Sequence, residues 1–103
     1  MQIYNTIGIM SGTSLDGLDI VYVKIYFDNV WKHDILSAKT YSYDKKWIIK
    51  LANAKELSAL ELINLNSDYG IYVGNKINAF IKDNNINKDK IDLIASHGHT
   101  IFH

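Results

Sequence analysis

The sequence contains no cysteine, no proline and no arginine among its 103 residues. Without cysteine the chain forms no disulfide, offers no thiolate nucleophile and builds no cysteine zinc site. Without arginine it lacks the side chain that binds phosphates and bases through two parallel hydrogen bonds. Its eleven lysines are balanced by eleven acidic residues, so the chain has no net positive charge to attract phosphates. The composition therefore argues against nucleic-acid binding.

Long apolar runs are also missing from the chain. No segment approaches the ~20 apolar residues that a membrane-spanning helix needs. The N-terminus lacks the basic, apolar and small-residue pattern of an export signal, so we expect a cytoplasmic protein without a membrane partner. What the chain does have is 48% hydrophobic and 12% aromatic residues, which suffices for the core of one small domain.

The first half of the chain predicts strands. Residues that are β-branched or aromatic cluster at 2–10, 18–27 and 31–43, with turn-forming residues between these segments. Their order predicts an antiparallel meander of three strands. The apolar run at 7–10 predicts that the first strand is buried on both faces.

The second half predicts helices and one more strand. A helical period begins at Asp44 and indicates a short helix, and the Ser58–Glu61 capping box begins a longer one. The longer helix carries one apolar stripe at Leu62, Leu65, Tyr69, Val73, Ile77 and Phe80 or Ile81. It is predicted to end at 84–85, and a short buried strand follows at 91–96.

Two glycines interrupt the long helix, Gly70 and Gly74. Each weakens a helix by roughly 1 kcal/mol relative to alanine. Because these residues are small, we expect another element to pack closely against that face of the helix.

A glycine-rich tip joins the first two strands at residues 11–17. Glycines let several backbone N–H groups point into one concavity, where they can hold phosphate oxygens. Thr13 and Ser14 add hydroxyl donors, and Asp16 or Asp19 could hold Mg²⁺ through water. Neither a Walker A ending nor a dinucleotide fingerprint is present, so an ordinary long hairpin turn is the alternative interpretation.

Histidines cluster at the end of the chain, at His97, His99 and His103. Alternate residues of an extended strand face the same way, so two imidazoles could meet one metal ion. The glycine between the first two favours a turn equally, and no carboxylate lies nearby in sequence. We therefore prefer substrate hydrogen bonding or a loop role over a metal site.

Both motifs resemble one known family. The stretch from Ile7 to Asp19 is similar, nearly letter for letter, to the N-terminal signature of the anhydro-N-acetylmuramic acid kinases. The stretch from Ala95 to His103 resembles that family's Ser-His-Gly-Gln-Thr-x-x-His segment, with His99 where glutamine is usual. The resemblance covers the whole chain.

The resemblance implies an α/β fold of the actin, sugar-kinase and Hsp70 kind, which is ribonuclease H-like. It identifies 1–103 as the N-terminal part of the first lobe, cut from a longer chain. The implied activity is ATP-dependent opening of 1,6-anhydro-N-acetylmuramic acid with water and phosphorylation to N-acetylmuramic acid 6-phosphate, a step in cell-wall recycling.

The resemblance also implies roles for particular residues. The ATP phosphates would be held at Gly12, Thr13, Ser14, Leu15, Asp16, Gly17, Leu18 and Asp19. The substrate side would include His97, Gly98, His99 and Thr100. Asp16 would contact Mg²⁺ through water, and the catalytic residue is expected beyond this chain.

Two alternatives remain open at this stage. A non-catalytic binding or scaffolding domain could retain the hairpin without the chemistry. A metal protein built on the histidines ranks last. For the kinase interpretation, we expect the 103-residue chain alone to be inactive and to self-associate, as a homodimer for example, through apolar surface and open sheet edges.

Overall fold

The structure, a computed structural model, describes residues 2–11 and 17–99. Its strands are β1 (Ile3–Ser11), β2 (Leu18–Asp28), β3 (Val30–Tyr41) and β4 (Leu93–His99). Its α-helices are α1 (Lys45–Ala52) and α2 (Ala59–Asp83), and short 3₁₀ helices occupy Ala54–Glu56 and Lys88–Lys90. The α/β class is confirmed, and the third strand ends two residues earlier than predicted.

The four strands form one mixed sheet in the order β3-β2-β1-β4. The first three are antiparallel neighbours, which confirms the predicted meander. Asn29, with φ 63°, makes the tight turn between β2 and β3, and asparagine tolerates this left-handed backbone. β4 pairs parallel to β1, as expected when a long helical connection separates two strands.

The sequence signals for helix ends act as predicted. Asp44 accepts a hydrogen bond from the backbone N–H of Trp47 at 2.9 Å and caps α1. Ser58 and Glu61 form a reciprocal capping box at the start of α2. α2 ends with Asn84 as its cap, and Asn85 adopts φ 53° directly after it.

The core lies between one face of the sheet and the helices. Alternate residues of β1 and β2 share this face, which we call the helix face, because side chains alternate along a strand. The buried cluster consists of Ile7, Ile9, Leu18 and Ile20 from the sheet together with Tyr43, Leu51, Val73, Phe80 and Ile81. Phe80 is completely buried, so the predicted apolar stripe of α2 is confirmed.

The opposite face of the sheet, which we call the open face, carries many exposed or half-buried apolar side chains among the described residues. By strand register it carries Tyr4, Met10, Val23, Ile25, Phe27, Trp31, Ile35 and Leu93. Met10 is 53% exposed, so the prediction that β1 is buried on both faces is wrong. The helices cover one side only, and Ile7 and Ile9 alone of the predicted run point toward them.

Two further expectations also fail in the described part of the chain. The last strand is not buried, because Leu93 and Ile94 are 58% and 48% exposed at the sheet edge. Gly70 and Gly74 have no close neighbour, since a Cβ placed on either would meet nothing within 4 Å.

A polar clamp sets the start of β4 against β1. The backbone N–H of Asn5 donates to a carboxylate oxygen of Asp92 at 2.7 Å, and the N–H of Asp92 donates to the Asn5 carbonyl at 2.8 Å. The Asn5 side chain adds a bond to the Lys90 carbonyl at 3.3 Å. The clamp lies at the end of the sheet opposite to the glycine-rich tip.

Candidate functional site

Both sequence motifs adjoin the end of the sheet at which β1 and β4 finish, and we call this end the site edge. β1 ends there at Ser11, which pairs with Leu18 at the start of β2. β4 ends there too, and its His99 backbone pairs with Ser11. Because β1 and β4 are parallel, their carboxyl ends meet at this edge, which is where open α/β sheets bind ligands.

The centre of the predicted phosphate site lies outside the described residues. Gly12, Thr13, Ser14, Leu15 and Asp16 all fall in that interval, so their predicted roles stay predictions. The structure does describe the residues on both sides, Ser11 and Gly17. These two fix where the intervening segment must start and end.

Gly17 fills a position that has no room for a side chain. A Cβ there would lie 2.7 Å from the carbonyl oxygen of Tyr41 and 2.9 Å from Cγ2 of Thr40. It would also come within 3.2 Å of the Ser42 Cα. Only glycine lets the chain pass this close to the end of β3. Gly17 therefore determines how the chain enters β2.

Leu18 and Asp19 point to opposite faces of the sheet. Leu18 is 1% exposed and packs in the core, so only its backbone can meet a ligand. Asp19 is exposed opposite Met10 on the open face. Its Oδ1 accepts a hydrogen bond from the Thr40 hydroxyl at 2.5 Å, which orients the carboxylate at the site edge.

A buried hydroxyl cluster lies directly behind the site edge. Tyr43 donates a hydrogen bond to Oγ of Ser11 at 2.5 Å, and the hydroxyls of Tyr43 and Tyr69 share another at 2.7 Å. Trp47 and Tyr72 pack their rings around this pair. Burial, the largest cause, raises the pKa of the Tyr43 hydroxyl far above its ordinary value of 10.0, so this hydroxyl stays protonated.

The sequence analysis placed Tyr43 in the third strand and assigned it no other role, and so missed this cluster. The structure ends that strand at Tyr41 and puts Tyr43 directly before Asp44, the cap of the first helix. No sequence signal links Tyr43 to Ser11, which lies 32 positions away in the chain.

The histidine segment reaches the site edge through an irregularity in β4. Ile9 pairs with Ser96 and Ser11 pairs with His99, so two residues of β4 oppose one residue of β1. This is a β-bulge at His97 and Gly98, a feature that is common beside functional sites. Thr100 and His103 lie outside the described residues.

The described part of the chain holds no group of three or more histidine, cysteine or acidic side chains placed to bind a metal ion. His103, which could be a third ligand in the histidine metal hypothesis, lies outside that part. Among the described helices, none is both long and apolar enough to cross a membrane.

Comparison with known proteins gives one consistent result. The family model described as anhydro-N-acetylmuramic acid kinase matches residues 4–103. The protein of that name from Francisella tularensis subsp. novicida (strain U112) is 37% identical over 101 residues, or 94% of this chain. The one from Pseudoalteromonas translucida (strain TAC 125) is 42% identical over 101 residues, again 94% of the chain. The one from Bacillus thuringiensis (strain Al Hakam) is 36% identical over 107 residues and covers all of it.

The chain spans about a quarter of the length of these relatives. It covers 26% of the Francisella protein, 25% of the Pseudoalteromonas protein and 28% of the Bacillus protein. The matched part includes both motifs that meet at the site edge.

Proposed function

Because this chain belongs to the anhydro-N-acetylmuramic acid kinase family, we propose that the intact protein uses ATP to phosphorylate 1,6-anhydro-N-acetylmuramic acid, and that it does so in the cytoplasm. In this proposal the chain contributes the ATP-phosphate site, at 12–19, and part of the sugar side, at 97–100. The catalytic residue belongs to another part of the protein.

The proposed reaction couples ring opening to phosphoryl transfer. Water adds at C1 of the sugar, and its oxygen remains there as a hydroxyl group. The bond between C1 and O6 breaks, O6 becomes bonded to the γ-phosphorus of ATP, and ADP leaves with the electrons of the cleaved P–O bond. The products are N-acetylmuramic acid 6-phosphate, ADP and a proton.

The observation that carries this proposal is the meeting of the two motifs at the site edge. The backbone of Ser11 has Leu18 as its partner on one side and His99 on the other. The phosphate motif and the histidine motif, far apart in the sequence, therefore flank the same strand end. This supports a site in which the nucleotide and the sugar lie next to each other.

The described residues fit a nucleotide with Mg²⁺. Gly17 lets the chain pass close to the end of β3 as it enters the site edge, and the backbone N–H groups of a glycine-rich segment bind phosphate oxygens well. Asp19 presents an exposed carboxylate with one oxygen held by Thr40, and hydrated Mg²⁺ prefers carboxylate ligands. Mg²⁺ would reduce the negative charge of the phosphates. Asp16 is the alternative carboxylate for this contact, and the resemblance assigns the water-mediated Mg²⁺ contact to it.

The direct test is the reaction itself. The purified intact protein is incubated with 1,6-anhydro-N-acetylmuramic acid, ATP and Mg²⁺, and ADP release and the sugar phosphate are measured. We expect equal amounts of ADP and sugar 6-phosphate, and dependence on both substrates. Tight ATP binding without any sugar phosphate would instead favour the non-catalytic binding domain.

Asp19→Asn in the intact protein tests the role of this site edge. The variant keeps the shape of the side chain and removes its charge, so we expect weaker Mg²⁺-dependent ATP binding. Asp34→Asn is the matched control, because Asp34 lies on exposed β3 beyond the helices. Equal ATP affinity of the two variants would remove Asp19 from the proposed site.

A further inference from the structure

We propose that Tyr43 is a positioning residue for the phosphate-binding tip, and that its hydroxyl acts by holding Ser11, the residue at which β1 ends and that tip begins. This inference rests on the proposed function, because it assigns a role to the same site. It adds a residue that lies in neither sequence motif.

The geometry places Tyr43 where it controls the end of β1. Ser11 is 1% exposed, and Tyr43 is 5% exposed. Their hydroxyl groups meet at 2.5 Å although the residues are 32 positions apart in the chain. A hydrogen bond between two buried groups fixes the side chain of Ser11 at the end of β1.

Tyr43 is itself held firmly in place. Its hydroxyl shares a hydrogen bond with Tyr69 on α2, and its ring packs 5.7 Å from the ring of Tyr72, measured between centroids. α2 is anchored in the core through Val73 and Phe80. The long helix therefore supports the end of β1 through two hydrogen bonds, which join the hydroxyl groups of Tyr69, Tyr43 and Ser11.

The other side of the tip is fixed by a different contact. Gly17 lies against the backbone of Tyr41 and Ser42, immediately before Tyr43 in the chain. The backbone of segment 41–43 thus lies against Gly17, the last residue of the tip. The Tyr43 hydroxyl of the same segment contacts Ser11, the first residue of the tip. Such preorganisation of both ends lowers the ordering cost when a ligand binds.

Hydrogen exchange of the backbone amides measures the positioning directly. Tyr43→Phe removes the bond to Ser11 and the bond to Tyr69, and only the first reaches β1. We expect this variant of the intact protein to speed exchange at 12–17 by about three- to tenfold, because one buried hydrogen bond contributes on the order of a tenfold equilibrium factor. Tyr72→Phe is the matched control, since it removes a hydroxyl from the same aromatic cluster without touching Ser11. Unchanged exchange at 12–17 in Tyr43→Phe would overturn the proposal.

Kinetics separate positioning from a merely structural role. We expect Tyr43→Phe to raise KM for ATP by about three- to tenfold with a smaller change in kcat, and Tyr72→Phe to leave both unchanged. Ser11→Ala should raise KM for ATP as well, and the two effects should be less than additive in the double variant, since the bond between Tyr43 and Ser11 is lost in either single variant. Additive effects, or loss of thermal stability without a change in KM, would contradict the proposal.

The two proposals fail in different ways. A wild-type protein without phosphorylating activity would refute the proposed function, and the exchange measurement would then decide the role of Tyr43 by itself. An active wild type with a Tyr43→Phe variant of normal KM would refute only the positioning role.

Discussion

A Cβ atom on Gly17 would lie 2.7 Å from the carbonyl oxygen of Tyr41, closer than real Cβ contacts allow. The glycine is therefore required by the neighbouring strand. This contact links the geometry of the tip to the end of β3.

Gly17→Ala should destabilise the protein and weaken ATP binding, because the backbone at the site edge must shift to admit the methyl group. We expect a loss of about 1–3 kcal/mol in the free energy of unfolding, as for overpacked sites. Gly70→Ala is the control, since that position is open and helical. It should stabilise the protein by about 0.5–1 kcal/mol. Denaturant titration of both variants checks these values, and a stabilised Gly17→Ala would show that the edge has room.

Phe80→Ala should be among the most destabilising changes in α2, because this side chain is completely buried between helix and sheet. We expect a loss of about 3–5 kcal/mol in the free energy of unfolding. Leu60→Ala, at a position 69% exposed in the same helix, should change it by less than about 0.5 kcal/mol. Equal effects of the two variants in chemical denaturation would contradict the described packing of α2.

The capping box gives the stability a pH dependence. Hydrogen bonds from the backbone and side chain of Ser58 lower the pKa of Glu61 below its ordinary value of 4.5. A carboxylate with a lowered pKa in the folded state stabilises the protein above its unfolded pKa and loses this effect as the pH falls through its folded pKa. The Tm difference between wild type and Glu61→Gln should therefore be largest near neutral pH and shrink below pH 4.5. A difference that grows on acidification would contradict this assignment.

The 103-residue chain by itself should self-associate through the open face. Trp31 and Ile35 are each 61% exposed there, in an area that also contains Tyr4 and Phe27. Contiguous apolar patches of this kind drive association. We expect Trp31→Lys to lower the sedimentation-derived mass toward the monomer. Ile63→Lys, at an exposed position of α2, should leave it unchanged. A monomeric wild-type chain would disprove the expectation.

The same chain should neither phosphorylate the sugar nor bind ATP tightly. It spans about a quarter of its relatives, and the catalytic residue is proposed to lie outside it. Calorimetric titration with Mg²⁺ and ATP, run beside the intact protein, measures this. Turnover by the isolated chain would place the catalytic group within these residues.

Much of the fold could be predicted because it is determined by residues that are close together in the sequence. The capping box at Ser58 and the period of α2 are properties of neighbouring residues, and both appear as expected. The burial of β1 on one face could not be predicted in this way. Ile7 and Met10 belong to the same apolar run, and only the packing of helices far along the chain decides that Ile7 is buried and Met10 exposed.

In the candidate site, too, one feature could be predicted from the sequence and another could not. The glycine content predicted the tip. The structure adds that one of its glycines, Gly17, occupies a position without space for a side chain. The bond between Tyr43 and Ser11 left no sequence pattern, because it joins residues 32 positions apart through the turn after β3. Long-range contacts of this kind depend on the path of the chain.

The clamp between Asn5 and Asp92 joins residues 87 positions apart, and it sets the register by which His99 reaches Ser11. Closing so long a loop costs conformational entropy before any contact offsets it, so such pairings form slowly and late in folding. The histidine segment reaches Ser11 only once β4 has paired with β1. The two motifs therefore come together only after contacts between distant parts of this chain have formed.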